Sequence, residues 1–337
     1  MKKRITIKDI AKVAEVSVTT VSFVLNDKGE KMGISQKVIE KVREVAAKME
    51  FKPNGIASSL RTGKTRSIGL IVEDISNQFF SELARVIEME AKKLNYRVFY
   101  CSTGGDDELT VELINSLLHA NIDGFIITPT GNLKATIDRL LALQYPVVLL
   151  DRYFEGQNVS HVVLDNFDGA YTATRYLLEK GFKNIAFVTN FSQLIQMQLR
   201  KEGYVKALTE SKLYDVSRVL DLKYHITEED RITEITKFLD DNLEIDAVLF
   251  GANYLSIAGL QAFRKLGLKI PRDKAVISFD DHDSFRLHSP SITVLSQPIR
   301  EMGEEAVKIL MNQINESHDY KVEKIEKKGK LIIRESV

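Results

Sequence analysis

The 337-residue sequence predicts two folds in series: a small all-helical module, then a large α/β body of two doubly wound parallel-sheet halves. Three observations carry this reading. Residues 1–66 hold 15 Lys and Arg against seven Asp and Glu, although the whole chain balances at 47 of each, so a basic segment precedes an acidic body. The first fifty residues repeat apolar side chains at helical spacing, with capping residues ahead of each run. From residue 67 onward short apolar runs alternate with helical patterns, as in parallel strands covered on both faces. Other classes are disfavoured. No apolar run approaches the ~18 residues of a membrane helix. Charges at Lys8, Asp9, Lys12 and Glu15 interrupt the stretch a signal peptide would need, so a cytoplasmic location is expected. The single cysteine, Cys101, excludes an intramolecular disulfide and a multi-cysteine metal site, and its apolar strand suggests an inert core residue.

Thr6-Ile7-Lys8-Asp9 has the form of a capping box, followed by Ile7, Ile10, Ala11, Val13 and Ala14 at helical spacing. Ser17 can cap a second helix in which Val18, Val21, Val24 and Leu25 recur. Ser35 can cap a third, with Val38, Ile39, Val42, Val45, Ala46 and Met49 on one face. Two short helices joined by a tight turn, then a third, follow the helix-turn-helix plan. Val18, Thr19, Ser22 and Phe23 would face outward, small polar and apolar groups suited to thymine methyls and base edges. Ser17 and the helix N-terminus suit a phosphate. Spacing alone leaves a plain three-helix bundle open, and charge alone leaves a solvated basic face.

The run TIKDIAKVAEVSVTTVSFVLN at 6–26 resembles the DNA-binding domain of the lactose-repressor family of bacterial regulators, and KPNGIASSLRTGKT at 52–65 resembles that family's hinge helix. The resemblance implies a domain over 1–51, a hinge and linker over 52–66, and DNA contacts from Thr6, Ser17, Val18, Thr19, Thr20, Ser22, Phe23, Asn26, Asn54, Ala57, Leu60 and Arg61. It assigns Leu60 to an apolar wedge between central base pairs, with Ala57 as its minor-groove neighbour. It also implies palindromic double-stranded DNA as partner and a homodimer to read it. Phe23 and Ser58 depart from the family's common residues.

In the body, strands are expected at 67–72, 97–101, 124–128, 147–151 and 161–165, then at 185–189, near 216–221, 247–252 and 275–279. Helical patterns lie between them. Two such halves place a ligand site at the carboxyl ends of their strands. The runs SNQFFSELARVIE (76–88), PVVLLDR (146–152), RKEGYVKAL (200–208), FGANYLSIAGLQAF (250–263) and ISFDD (277–281) resemble the family's effector domain, whose fold is that of periplasmic sugar-binding proteins. The resemblance implies a first half over 67–164 and 295–322, a second over 165–294 and 323–337, and an effector in the cleft between them. The cleft residues it assigns are Phe79, Phe80, Asp151, Arg152, Arg200, Asn253 and Asp280. Carboxylate, guanidinium and amide groups can bind sugar hydroxyls in pairs, so a sugar or related small molecule is the expected effector. Tyr254 and Gln78 depart from the family's usual Asp and Pro.

Enzyme chemistry finds no constellation. Gly63-Lys64-Thr65 lacks the earlier glycine of a phosphate loop, where Ser58 stands. There is no G-x-G-x-x-G after a strand and no G-x-S-x-G, so no cofactor and no catalysis are expected. Asp280-Asp281-His282-Asp283 lacks the glycine and spacing of a metal loop. A sugar-transport component is the alternative binding class, and the basic N-terminal module argues against it. The sequence predicts a ligand-responsive transcriptional regulator, a repressor by resemblance.

Overall fold

The structure, a computed structural model, describes residues 5–51, 63–191, 194–224, 226–316 and 320–337. The chain divides into two compact units, 1–65 and 66–337. The expected hinge residues Asn54, Ala57, Leu60 and Arg61 lie outside the described residues.

The first unit is built from α1 (Ile7–Ala14), α2 (Val18–Leu25) and α3 (Gln36–Lys48). Thr6 and Asp9 form both halves of the capping box: the Thr6 N–H donates to Asp9 Oδ2 at 2.8 Å and the Asp9 N–H to Thr6 Oγ1 at 3.4 Å. Glu15 takes a left-handed φ of 56° to end α1, and the Thr20 N–H donates to Ser17 Oγ at 3.0 Å to start α2. Ile10, Ala11, Ala14, Val21, Val24, Ile39, Val42 and Ala46 make this unit's own core.

The second unit contains two six-stranded sheets. The first half runs β1 (Ser67–Val72), α4 (Gln78–Lys93), β2 (Arg97–Ser102), α5 (Asp107–His119), β3 (Gly124–Ile127), α6 (Lys134–Ala142), β4 (Val147–Leu150) and β5 (Ser160–Leu164). The second runs α7 (Asn166–Glu179), β6 (Ile185–Phe191), α8 (Ile195–Glu210), β7 (Val219–Lys223), α9 (Glu228–Asp241), β8 (Ala247–Phe250), α10 (Asn253–Leu266), β9 (Ala275–Phe279), α11 (Asp283–Leu287) and β10 (Thr293–Ser296). The chain then returns: α12 (Ile299–Glu316) packs on α4 and the first sheet, β11 (Lys324–Lys327) pairs parallel with β5, and β12 (Lys330–Ile332) pairs antiparallel with β10. The sheets therefore share one strand order, β11-β5-β4-β3-β1-β2 and β12-β10-β9-β8-β6-β7. Every residue of β1, β3, β4, β8 and β9 is buried, which is why these strands read as unbroken apolar runs.

The expected boundaries shift at two points. The second crossing follows Ser296 rather than residue 294, because β10 bonds to β9 in the second sheet. Residues 324–327 belong to the first half rather than the second, because β11 extends the first sheet beyond β5. Cys101, on the edge strand β2, is half-buried and packs against the core of the first half, and burial pushes its thiol pKa up.

The C-terminal residues close the second half. Ser336 is 0% exposed; its Oγ donates to the Val276 carbonyl at 2.6 Å and accepts from the Thr293 N–H at 2.8 Å. Ser336→Ala strands both backbone groups, so a loss of about 1–3 kcal/mol is expected in urea unfolding of the body. An unchanged midpoint would contradict this anchoring role.

Candidate functional site

In each sheet the strand order reverses beside one strand, β1 in the first and β6 in the second. Loops leaving those strands diverge there and open a crevice at the carboxyl ends. The cavity found there encloses about 480 Å3 of empty space, its open mouth included. All seven expected residues line it: Phe79 and Phe80 from the start of α4, Asp151 and Arg152 after β4, Arg200 on α8, Asn253 at the start of α10 and Asp280 after β9. Asp151 and Asp280 occupy equivalent places one residue beyond their strands, and both hold left-handed backbone, φ 70° and 65°. Aspartate tolerates that conformation better than most residues.

The four charges are deeply buried: Asp151, Arg152, Arg200 and Asp280 are 6%, 4%, 3% and 8% exposed. Each is held by polar partners. Arg152 donates to Glu73 Oε2 at 2.5 Å and to Asp151 Oδ2 at 3.1 Å. Burial opposes its charge, but Glu73 and Asp151 outweigh it and hold the pKa above the usual arginine value. Tyr224, from the other half, hydrogen-bonds with Glu73 and Arg152. Arg200 donates to Asn166 Oδ1 at 2.8 Å and to the Gly251 carbonyl at 2.7 Å, with its guanidinium 3.9 Å from the centre of the Phe279 ring. Burial lowers its pKa, opposed by Asp280 and Asp151. Asp280 Oδ1 accepts from Gln297 Nε2 at 2.6 Å; burial still raises the carboxyl pKa, against Arg200 and Gln297.

The R-K-E-G-Y run explains how α8 delivers Arg200. Gly203 lets α8 approach α7 at backbone distance, and Tyr204 on the next position is fully buried, donating to the Ile185 carbonyl at 2.7 Å. Besides Tyr224, other described residues also join the halves across the mouth. Asn77 and Asn253 exchange amide hydrogen bonds at 3.2 and 2.9 Å, and the Asp283 N–H donates to Gln78 Oε1 at 3.2 Å. Both departures from the family pattern thus find partners, since Tyr254 Oη accepts from Asn190 Nδ2 at 2.6 Å.

The lining also contains residues the sequence reading missed: Glu73, Asn77, Asn190, Gln196, Tyr224, Tyr254 and Gln297. Three of them decide the chemistry. Asn190 Oδ1, Gln196 Oε1 and Gln297 Oε1 are buried with no hydrogen-bond partner among the described residues. Native proteins leave few buried acceptors unsatisfied, and a cluster of them in a crevice calls for a ligand bearing donors. No helix among the described residues is long and apolar enough to cross a membrane.

In the first unit, Thr6, Ser17, Val18, Thr19 and Asn26 are exposed, while Thr20, Ser22 and Phe23 are half-buried. Ser17 Oγ is engaged in the α2 cap and with the Thr20 hydroxyl at 2.8 Å, and Asn26 Nδ2 donates to the Ser22 carbonyl at 2.6 Å.

Residues 6–54 match the bacterial regulatory proteins of the lacI family, and residues 174–337 match the periplasmic binding protein-like domain. A ribose operon repressor from Haemophilus influenzae is 30% identical over 98% of both chains. The chain belongs to the LacI family. It is a DNA-binding transcriptional regulator, with a helix-turn-helix domain ahead of a periplasmic-binding-protein-like body. The transcriptional repressor PurR from a strain of the same species is likewise 30% identical, over 98% of both chains. A solved LacI-family regulator from Enterococcus faecium with bound ribose is 26% identical, with a TM-score of 0.72 over 80% of this chain and 98% of that one.

Proposed function

We propose that this LacI-family member is a cytoplasmic, homodimeric repressor whose effector is a neutral, unphosphorylated sugar held in the crevice by Phe79, Phe80, Asp151, Arg152, Arg200, Asn253 and Asp280. The observation that carries the effector class is the set of three open acceptors on Asn190, Gln196 and Gln297 beside three carboxylates. Sugar hydroxyls supply the donors such a lining lacks. Phe79 and Phe80, edge to face at 5.0 Å, offer an apolar wall for a sugar face. A phosphate finds a poorer match, because Arg152 is already paired with Glu73 and Asp151, and Arg200 stands in the field of Asp280 and Asp151. The names of the ribose operon repressor and the ribose-bound regulator make ribose the first sugar to test.

A sugar touching both halves favours the closed crevice, and that differential contact is what can alter the DNA-binding form. Exposed Met89, Phe99 and Tyr100 on α4 and the edge strand β2 offer an apolar surface for the second protomer. In the dimer, each α2 reads one half-site through Val18, Thr19, Ser22 and Phe23. Thr6, Ser17, Thr20, Asn26 and Arg61 support the phosphates, and Asn54, Ala57 and Leu60 act at the palindrome centre.

D-ribose and other neutral monosaccharides are expected to raise the melting temperature of the full chain by mass action, and ribose 5-phosphate is not. Stabilisation by the phosphate ester and by no neutral sugar would refute the effector class. The full chain is also expected to bind a palindromic duplex selected from a random pool, with affinity falling steeply as salt rises, while residues 66–337 do not bind it. Counterion release at the basic N-terminal segment supplies the salt dependence. Binding retained by the truncated body would place the DNA site elsewhere.

A further inference from the structure

We infer that Arg334, which lines no part of the crevice, is a positioning residue for the effector and acts by holding Asp280 through Asp281. The inference rests on the crevice reading above and concerns what fixes its most constrained carboxylate. Asp280 sits at φ 65°, a left-handed conformation that even an aspartate adopts at some cost and that its surroundings must hold. Three restraints do so. Its N–H donates to the Leu295 carbonyl at 2.9 Å, and Gln297 Nε2 donates to its carboxylate at 2.6 Å. The third restraint acts on the next residue, where Arg334 grips Asp281 with both terminal nitrogens, Nη1 to Oδ1 at 2.9 Å and Nη2 to Oδ2 at 2.7 Å.

A two-pronged guanidinium–carboxylate pair fixes orientation as well as distance. Arg334 is itself anchored: Nη1 also donates to the Ile292 carbonyl at 2.8 Å, and its backbone N–H donates to Thr293 Oγ1 at 3.0 Å. The other cation near Asp281, Arg286, stands 3.9 Å away, half-exposed and turned to Asp283 at 2.6 Å. Arg334 follows β12, just past the last crossing between halves, and Gln297 lies on the crossing before it. Gln297, on the second crossing, thus bonds the Asp280 carboxylate, while Arg334, beyond the third, holds the side chain of the neighbouring Asp281. Loosening the Arg334 grip frees the loop to leave its left-handed geometry, which swings the carboxylate away from a bound hydroxyl.

The test is D-ribose titration of the full chain, by calorimetry for tight variants and NMR shifts for weak ones. Asp281→Asn with Arg334→Gln removes the pair without leaving one buried charge alone. It is expected to weaken ribose binding about tenfold, part of the worth of one charged hydrogen bond. Arg334→Lys, which keeps the charge and loses the fork, should recover part of that loss. Added to Asp280→Asn, the pair change should cost nothing further, because the residue it positions is already disabled. An undiminished ribose affinity in the pair variant, with Asp280→Asn weakened, overturns the inference alone. So does a loss that adds fully to that of Asp280→Asn, which marks a general structural effect. A wild-type protein that binds no neutral sugar, or an Asp280→Asn variant that binds ribose normally, fails the crevice reading and the inference with it.

Discussion

Arg200→Ala and Asp280→Ala are each expected to abolish the effector response at working sugar concentrations while leaving affinity for DNA nearly intact. Each variant removes a buried charge that faces the ligand space and whose pKa is shifted by burial and by the other. Loss of a charged hydrogen-bonding partner in a closed site costs about 2–3 kcal/mol, roughly 30- to 150-fold in affinity. Arg200→Ala carries a second cost, because Asn166 Oδ1 and the Gly251 carbonyl lose their donor. Its melting temperature should therefore fall as well, and sugar affinity must be compared where both proteins are fully folded. Calorimetry with ribose and binding to the selected duplex separate the two functions. Unchanged sugar affinity in both variants would show that the effector binds elsewhere.

Gly203→Ala should be among the most damaging single-methyl changes in the body. A Cβ there would stand 2.2 Å from the Phe167 carbonyl oxygen and 2.9 Å from the Tyr171 nitrogen, both backbone atoms of α7. No rotamer change relieves such a contact, so the helices must separate. Overpacking of this kind costs about 1–3 kcal/mol or more. On an open helix the same change would stabilise by up to about 1 kcal/mol, so the sign of the effect reports the close approach. Because Arg200 lies one turn earlier on α8, sugar affinity should fall with stability. Gly131→Ala, where nothing lies within 4 Å, is the control. Equal urea midpoints for the two variants would mean that α7 and α8 are less tightly apposed.

Features set by local chemistry were legible before the fold was known. The Thr6–Asp9 box, the Ser17 cap and the tight turn between the first two helices involve residues within a few positions of one another. Asp151, Arg152, Asn253 and Asp280 were assigned by resemblance to the family, and each stands within three residues of the end of an apolar strand, where topology places binding groups. Asn190 has the same standing at the end of β6 and was readable by that rule. Tyr224 was not, since it follows a strand with mixed burial and its partners Glu73 and Arg152 come from the other half. Gln297 was hidden for a different reason: its role depends on the second crossing passing the crevice. The strand β11, Lys-Ile-Glu-Lys, escaped detection because an edge strand with both faces partly solvated has no apolar run to betray it.

The return of α12 and β11 to the first sheet bears on how the protein is made. Synthesis proceeds from the N-terminus, and the core of residues 5–51 draws on no later residue among those described, so that unit can fold as soon as it leaves the ribosome. The first half of the body cannot. Met302, Ala306, Val307 and Leu310 fill its core beside Leu83, Ile87, Ile126 and Val148, and the edge of β5 waits for residues 324–327. Residues 165–296 of the second half are translated within that interval, and that half itself waits for β12 and Ser336. A nascent or prematurely terminated chain therefore carries a finished helix-turn-helix on a body with exposed apolar surface. Such fragments combine an intact DNA-binding fold with an unfinished ligand-binding body, so chaperones and proteases must clear them if DNA binding is to stay under the body's control.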